Sequence, residues 1–99
     1  MTLRVKVSAR AAKQIDNAAR WWAENRPSAP GAGRGDLCQA LELLAQQPGI
    51  GTPCRGARVK GVRRLLLGRI RYFVYYRFNA DTLEVLALWH ASRGEESGP

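Results

Sequence analysis

Leu3, Val5 and Val7 alternate with Arg4 and Lys6 at the start of the chain, a period of two that predicts a short β-strand with one buried face at or near a sheet edge. The period then lengthens. Ala12, Ile15, Ala19 and Trp22 recur at helical spacing, which predicts a helix from about Ala9 to Asn25 with Ser8 as its N-cap and Pro27 as its stop. The Pro/Gly/Ser/Ala stretch from Pro27 to Gly35 reads as a loop running into a weak helix start, since each interior glycine costs a helix roughly 1 kcal/mol relative to alanine. Asp36 is the expected N-cap of the firm part of a second helix. There Leu37, Leu41 and Leu44 form one apolar stripe that ends before Pro48 and Gly49.

Gln47 to Pro53 is punctuation, and Cys54 to Lys60 reads as a basic loop. Three strand-like runs follow: Gly61 to Leu67, Ile70 to Phe78 and Thr82 to Arg93. Gly68 separates the first two and Asn79-Ala80-Asp81 the last two, so short antiparallel hairpins are expected to join them. In the middle run Ile70, Tyr72, Val74, Tyr76 and Phe78 share one face, which should meet the helices. Arg71, Phe73, Tyr75 and Arg77 share the other, which suits a partner. The expected fold is therefore α+β in the order β-α-α-β-β-β, a helical hairpin packed on one face of a mainly antiparallel four-stranded sheet. The 99 residues fit a single domain over 1–99, which buries roughly 60–65% of the surface its unfolded chain exposes.

Charge adds the first functional constraint. Sixteen Lys and Arg against eight Asp and Glu leave a formal charge of +8, enough to speed encounter with an anionic partner, whether nucleic acid or acidic protein. Its distribution is uneven: no acidic residue lies between Glu42 and Asp81, whereas Arg55, Arg58, Lys60, Arg63, Arg64, Arg69, Arg71 and Arg77 do. The arginines interleave with Tyr72, Phe73, Tyr75 and Tyr76. That mixture can be a solvated basic face, can stack bases and pair phosphates, or can clamp an acidic peptide.

Other chemistry is sparse. His90 is the only histidine, which excludes a His-based metal site or an imidazole pair within one chain. It reads either as a strand-end histidine bonded to backbone or as part of a polar site with Arg63 and Arg93. No Gly-x-Ser-x-Gly elbow is present, and Gly31-Ala-Gly-Arg-Gly-Asp36 lacks the Gly-Lys-Ser/Thr ending of a phosphate loop and follows no strand. Cys38 and Cys54 match no metal spacing and suit a reduced, cytosolic setting. Neither a metal nor a cofactor is expected. No apolar run approaches the roughly 18 residues of a membrane span, and the N-terminus alternates instead of forming an export signal, so a soluble cytoplasmic protein is expected. Trp21 and Trp22 are adjacent on a helix, so both cannot enter one core. One of them, taken as Trp21, is a candidate aromatic anchor for another protein.

Several segments, in order, resemble the ParE branch of the RelE/ParE toxin superfamily from Leu3 to Arg93. They are the opening strand with Ser8-Ala-Arg-Ala-Ala-Lys-Gln-Ile15, the break Asn25-Arg-Pro27, the helix and exit Ala40 to Gly51, Val62-Arg63, Arg71 to Arg77, and Leu88-Trp-His-Ala-Ser-Arg93. The resemblance implies the toxin of a plasmid-stabilising type II toxin–antitoxin pair that traps DNA gyrase on cleaved DNA without being a catalyst. It also implies a ParD-like or similar antitoxin, acidic where it crosses the toxin. On that reading Arg63, Arg64, Arg71, Phe73, Tyr75, Arg77, His90, Arg93 and Trp21 form the recognition surface. The RelE branch is the alternative: a ribosome-dependent mRNA interferase in which Arg63, Tyr76, His90 and Arg93 would serve the cleavage. A third reading follows from Gly31, Gly33 and Gly35, where the family has larger apolar residues: an inactive remnant that only binds antitoxin.

Overall fold

The computed structural model describes residues 2–25, 28, 31–56, 58–68 and 70–91. Pro27, Arg69 and Arg93, each used in the sequence reading, lie outside the described residues. The elements are β1 (Arg4–Val7), α1 (Ala9–Asn25), α2 (Ala32–Gln46), a 3-10 turn (Pro48–Ile50), β2 (Thr52–Pro53), β3 (Arg63–Leu67), β4 (Tyr72–Phe78) and β5 (Thr82–His90). They form one sheet in the order β1-β5-β4-β3-β2, with β1 parallel to β5 and every other pair antiparallel. The sheet has five strands and not four, because the chain leaving the 3-10 turn pairs Thr52 with Arg64 and Pro53 with Arg63.

Ser8 starts α1 as expected. Its Oγ accepts the Ala11 N–H at 3.0 Å, satisfying an otherwise orphaned helix donor. The same hydroxyl donates to the Leu86 carbonyl at 3.2 Å, and the Gln14 side chain accepts the Leu88 N–H at 2.9 Å. The Ser8 cap and the Gln14 side chain of α1 thereby satisfy backbone groups of β5 beyond the end of β1. The buried stripe of α1 is Ala11, Ile15, Ala18 and Trp22. It is displaced by one position from the expected Ala12 and Ala19, because alanines flank each site and periodicity alone does not choose between them.

The second helix begins at Ala32, with Gly31 in the N-cap position and no side-chain cap. Asp36 therefore lies inside α2, and the expectation of a cap there is corrected. Packing explains the early start. A Cβ on Gly33 would overlap the Trp22 indole, while one on Gly35 would meet nothing. Gly33 lets α2 lie directly against Trp22, a side chain only 1% exposed, and that contact outweighs the propensity cost of the glycine.

Trp22, Leu37, Leu44, Val74, Tyr76, Leu83, Val85 and Leu88 belong to the main core between helices and sheet. On β4, Tyr72, Val74 and Tyr76 face the helices as the alternation implied, but Phe78, at the strand end, is 40% exposed. Val5 and Val7, in register with Leu83 and Val85, lie on the same side yet remain 38% and 40% exposed, since β1 is an edge strand. Between Tyr75 and Tyr76 the pairing with β5 shifts by one residue, from Ala87 to Val85. A β-bulge of this kind carries both faces of β5 past a change in register.

Candidate functional site

The candidate residues fall into three groups and do not form one site. The first lies on the sheet face away from the helices. Arg64 places its guanidinium 4.3 Å from the centre of the Phe73 ring, and the Phe73 and Tyr75 rings lie 6.2 Å apart. Further along, Arg77 Nε donates to Glu84 Oε1 at 2.9 Å. The register places Lys6 on the other side of Glu84, so two cations flank one carboxylate across three adjacent strands. Tyr75 does not belong to the accessible part of this face. It is 3% exposed and packs with Val62 and Ala87 in a second, smaller core, closed by Cys54 and Val59 of the basic loop. The loop thus roofs part of the face that the sequence left open.

A second group surrounds the turn after α2. The Tyr76 hydroxyl donates to the Pro48 carbonyl at 2.6 Å and accepts the Gly51 N–H at 2.9 Å. Arg63 Nη1 donates to the carbonyls of Gly51 at 2.7 Å and Gly49 at 3.2 Å. Burial raises the Tyr76 pKa above its usual value, and the Gly51 hydrogen bond and Arg63 charge oppose this only in part. A Cβ on Gly51 would overlap the Tyr76 side chain, so the glycine is required for the phenol to reach the turn. Both side chains brace the fold here, a role that their residue types did not announce.

The third group lies at the opposite end of β4. Trp21, 50% exposed on α1, and His90 at the end of β5 line one cleft of about 460 Å³ with Gln14, Asn17, Tyr72 and Trp89. Tyr72 packs edge-on between Trp22 and His90, with ring centres 5.3 and 4.9 Å away. Trp89 escaped the sequence reading: plain alternation from Leu83 and Val85 would turn it toward the helices, and only the bulge between Tyr75 and Tyr76 sets it opposite Phe73 on the outer face.

Arg63 pairs with Tyr76, and His90 with Tyr72. Four residues of β4 separate these positions, about 13 Å at roughly 3.3 Å per residue. The expected polar site of Arg63 and His90 is therefore not assembled; Arg93, its third member, lies outside the described residues. Arg71 is corrected as well. It is not in the strand but in the turn before it, at φ 58°, where its carbonyl accepts the Ala91 N–H at 2.8 Å. Among the described residues no group of three or more His, Cys, Asp or Glu is placed to hold a metal ion, and no helix is long and apolar enough to cross a membrane.

The fold is shared with chains of solved toxin–antitoxin systems. A chain of the chromosomal ParDE system of P. aeruginosa superposes with a TM-score of 0.74 at 21% identity, covering 92% of this chain and 98% of its own length. A chain of the E. coli DinJ–YafQ toxin–antitoxin complex gives a TM-score of 0.66 at 14% identity, covering 97% and 100%. In sequence, Y4kP of Sinorhizobium fredii, a protein named as a toxin, is 30% identical over 88 residues, 89% of this chain and 88% of its own. The model of the ParE toxin of the type II toxin–antitoxin system parDE matches residues 5–94. With that match spanning nearly the whole chain, the protein belongs to the ParE toxin family of type II toxin–antitoxin systems.

Proposed function

We propose that the chain acts by binding: it inhibits DNA gyrase by trapping the enzyme with its DNA cleaved, and an acidic antitoxin neutralises it. The observation that carries this reading is the dispersal of the residues an RNA-cleaving site would need. Such cleavage requires a base, an acid and a charge stabiliser converging on one phosphate. Here the Tyr76 hydroxyl is engaged by Pro48 and Gly51, Arg63 by Gly49 and Gly51, and His90 packs against Tyr72 at the other end of β4. What remains accessible is a cationic sheet face with Arg64 and Arg77, and an aromatic cleft beside Trp21. These are recognition features, charge for steering and aromatic surface for anchoring.

The test is a supercoiling assay with purified protein, gyrase, relaxed plasmid and ATP, scored for lost supercoiling and for linear DNA released by detergent and protease. Linear product that requires both proteins supports the reading. Growth arrest by a folded protein that leaves gyrase unaffected overturns it and directs attention to ribosome-dependent mRNA cleavage.

A further inference from the structure

Two cations stand at the β1 end of the outer sheet face. Arg4 and Lys6 are in register with Thr82 and Glu84. The β5 residues next to these, Leu83 and Val85, are buried against the helices, so all four side chains turn to the outer face. Among the described residues, no ion pair or hydrogen bond engages the side chain of Arg4 or Lys6, although Lys6 lies alongside Glu84. That carboxylate is taken by Arg77, whose Nε donates to it at 2.9 Å and whose two Nη groups are left for a second acceptor. Charged residues on an edge strand also guard against pairing with another chain, but a guard needs no third cation two strands away.

Arg4, Lys6 and Arg77 line one groove of about 530 Å³ with Asn79, Thr82 and Glu84. Three cations against one carboxylate leave it positive, and Asp81, the other carboxylate nearby, lines a separate hollow. Along β1 the backbones of Arg4 and Lys6 are about 6.6 Å apart, and across the strands those of Lys6 and Arg77 are roughly 10 Å apart. The first separation is comparable to the step between neighbouring phosphates of one nucleic-acid strand. The outward side chains here include no apolar or aromatic residue, and Phe78, on the helix side of β4, only borders the groove. Protein partners are held by such anchors, and single strands by aromatic platforms for their bases. The rings of this face, Phe73 and Tyr75, lie at its other end, one beneath Arg64 and the other 3% exposed. A duplex needs neither, because its bases are already stacked and its phosphates face outward.

We propose that Arg4, Lys6 and Arg77 bind the phosphate backbone of duplex DNA, Arg4 and Lys6 on neighbouring phosphates of one strand and the Arg77 fork on a third. Contacts of this kind position a protein on DNA and carry no base specificity. The formal charge of +8 draws the polyanion in, and the groove gives it a place to settle. The choice of DNA rests on the proposed action at gyrase, whose DNA the toxin then touches directly, but the contact is testable without gyrase.

The probe is a short fluorescent DNA duplex, titrated with the whole protein across a salt series and read by anisotropy. Saturable binding is expected, alike for duplexes of different sequence. Arg4→Gln combined with Lys6→Gln should weaken it about tenfold or more and reduce the steepness of log affinity against log salt by about 2. Lys13→Gln combined with Arg20→Gln removes the same charge from the exposed surface of α1 and should bind nearly as wild type. Unchanged melting temperatures show that both variants are folded. In the wild-type protein the duplex should shield Lys6 from chemical acetylation and leave Lys13 reactive, a readout that needs no substitution. The proposal is overturned if wild type does not bind the duplex, if the two double variants lose affinity equally, or if Lys6 stays reactive in the complex. Tighter binding of a single strand of the same length overturns it, and so does displacement of the duplex by polyglutamate at equal charge, which would give the face to an acidic protein. Gyrase poisoning by a toxin that does not bind the duplex would remove the DNA contact and leave the gyrase reading standing. Duplex binding without gyrase poisoning would do the reverse.

Discussion

Arg63 and Tyr76 show how a side chain suited to chemistry can be committed to structure. Each looks available in the sequence, an arginine in a basic run and a tyrosine in an aromatic strand. The 3-10 turn decides otherwise, because its Pro48, Gly49 and Gly51 backbone groups need partners that β2 is too short to supply. Tyr76→Phe leaves the Gly51 N–H and Pro48 carbonyl without that hydroxyl and should cost about 1–3 kcal/mol. A 60–100-residue domain loses roughly 4–8 °C in Tm per kcal/mol, so thermal melting will report it. The pH dependence follows in sign. Since burial holds the folded pKa of Tyr76 above the ordinary tyrosine value of 10.0, its contribution is complete below pH 10 and is lost as the pH rises beyond it, where the unfolded chain releases the proton first. Alkaline melting curves should fall less steeply in Tyr76→Phe, and an unchanged slope would refute the coupling. Charge reversal at Arg63 should likewise lower the melting temperature, so lost activity in such a variant does not by itself report on recognition.

The elements were legible where a period was strong and hidden where contact between elements overrode it. α1, the three strands that close the chain and the inward set Tyr72, Val74 and Tyr76 of β4 follow from periodicity and a serine cap. The start of α2 does not, because the reason for Gly33 is the Trp22 indole, a residue eleven positions away in sequence and on another helix. Two substitutions separate the readings. Gly35→Ala, with open space at its Cβ, should stabilise the protein by about 0.5–1 kcal/mol through helix propensity. Gly33→Ala should destabilise it by about 1–3 kcal/mol, because the overlap with Trp22 forces apart a packed core. Equal effects in denaturant titrations would mean that the glycines share a propensity role and that the close contact is not limiting. Ser8→Ala tests the junction of α1 with β5, since it removes both the Ala11 cap and the bond to Leu86. About 1–2 kcal/mol should be lost, with local exchange of the Leu86–Leu88 amides rising before global unfolding.

At the scale of the whole molecule, the surface is a matter of which charges the fold leaves accessible. The candidate interface was legible in the sequence as far as the basic run and the outward set of β4 go. It failed where long-range packing intervenes: Cys54 and Val59 of the basic loop pack over Tyr75, and register holds His90 away from Arg63. Partner capture should therefore depend on Arg64 and Arg77, which stand on the outer face without bracing the turn. Arg64→Glu combined with Arg77→Glu changes the formal charge from +8 to +4, each substitution removing one positive and adding one negative charge. Electrostatic steering acts mainly on association, and at low salt it can raise on-rates by one to three orders of magnitude, roughly 10–10³. The double variant should associate with an acidic antitoxin about tenfold or more slowly at low salt, with a flatter dependence of on-rate on ionic strength. Dissociation at high salt should change little. Arg77→Glu also sets a carboxylate beside Glu84, a local cost confined to an exposed pair and read as a small loss of melting temperature. Stopped-flow association across a salt series separates these effects: parallel salt slopes in wild type and variant would place the steering charge elsewhere on the molecule.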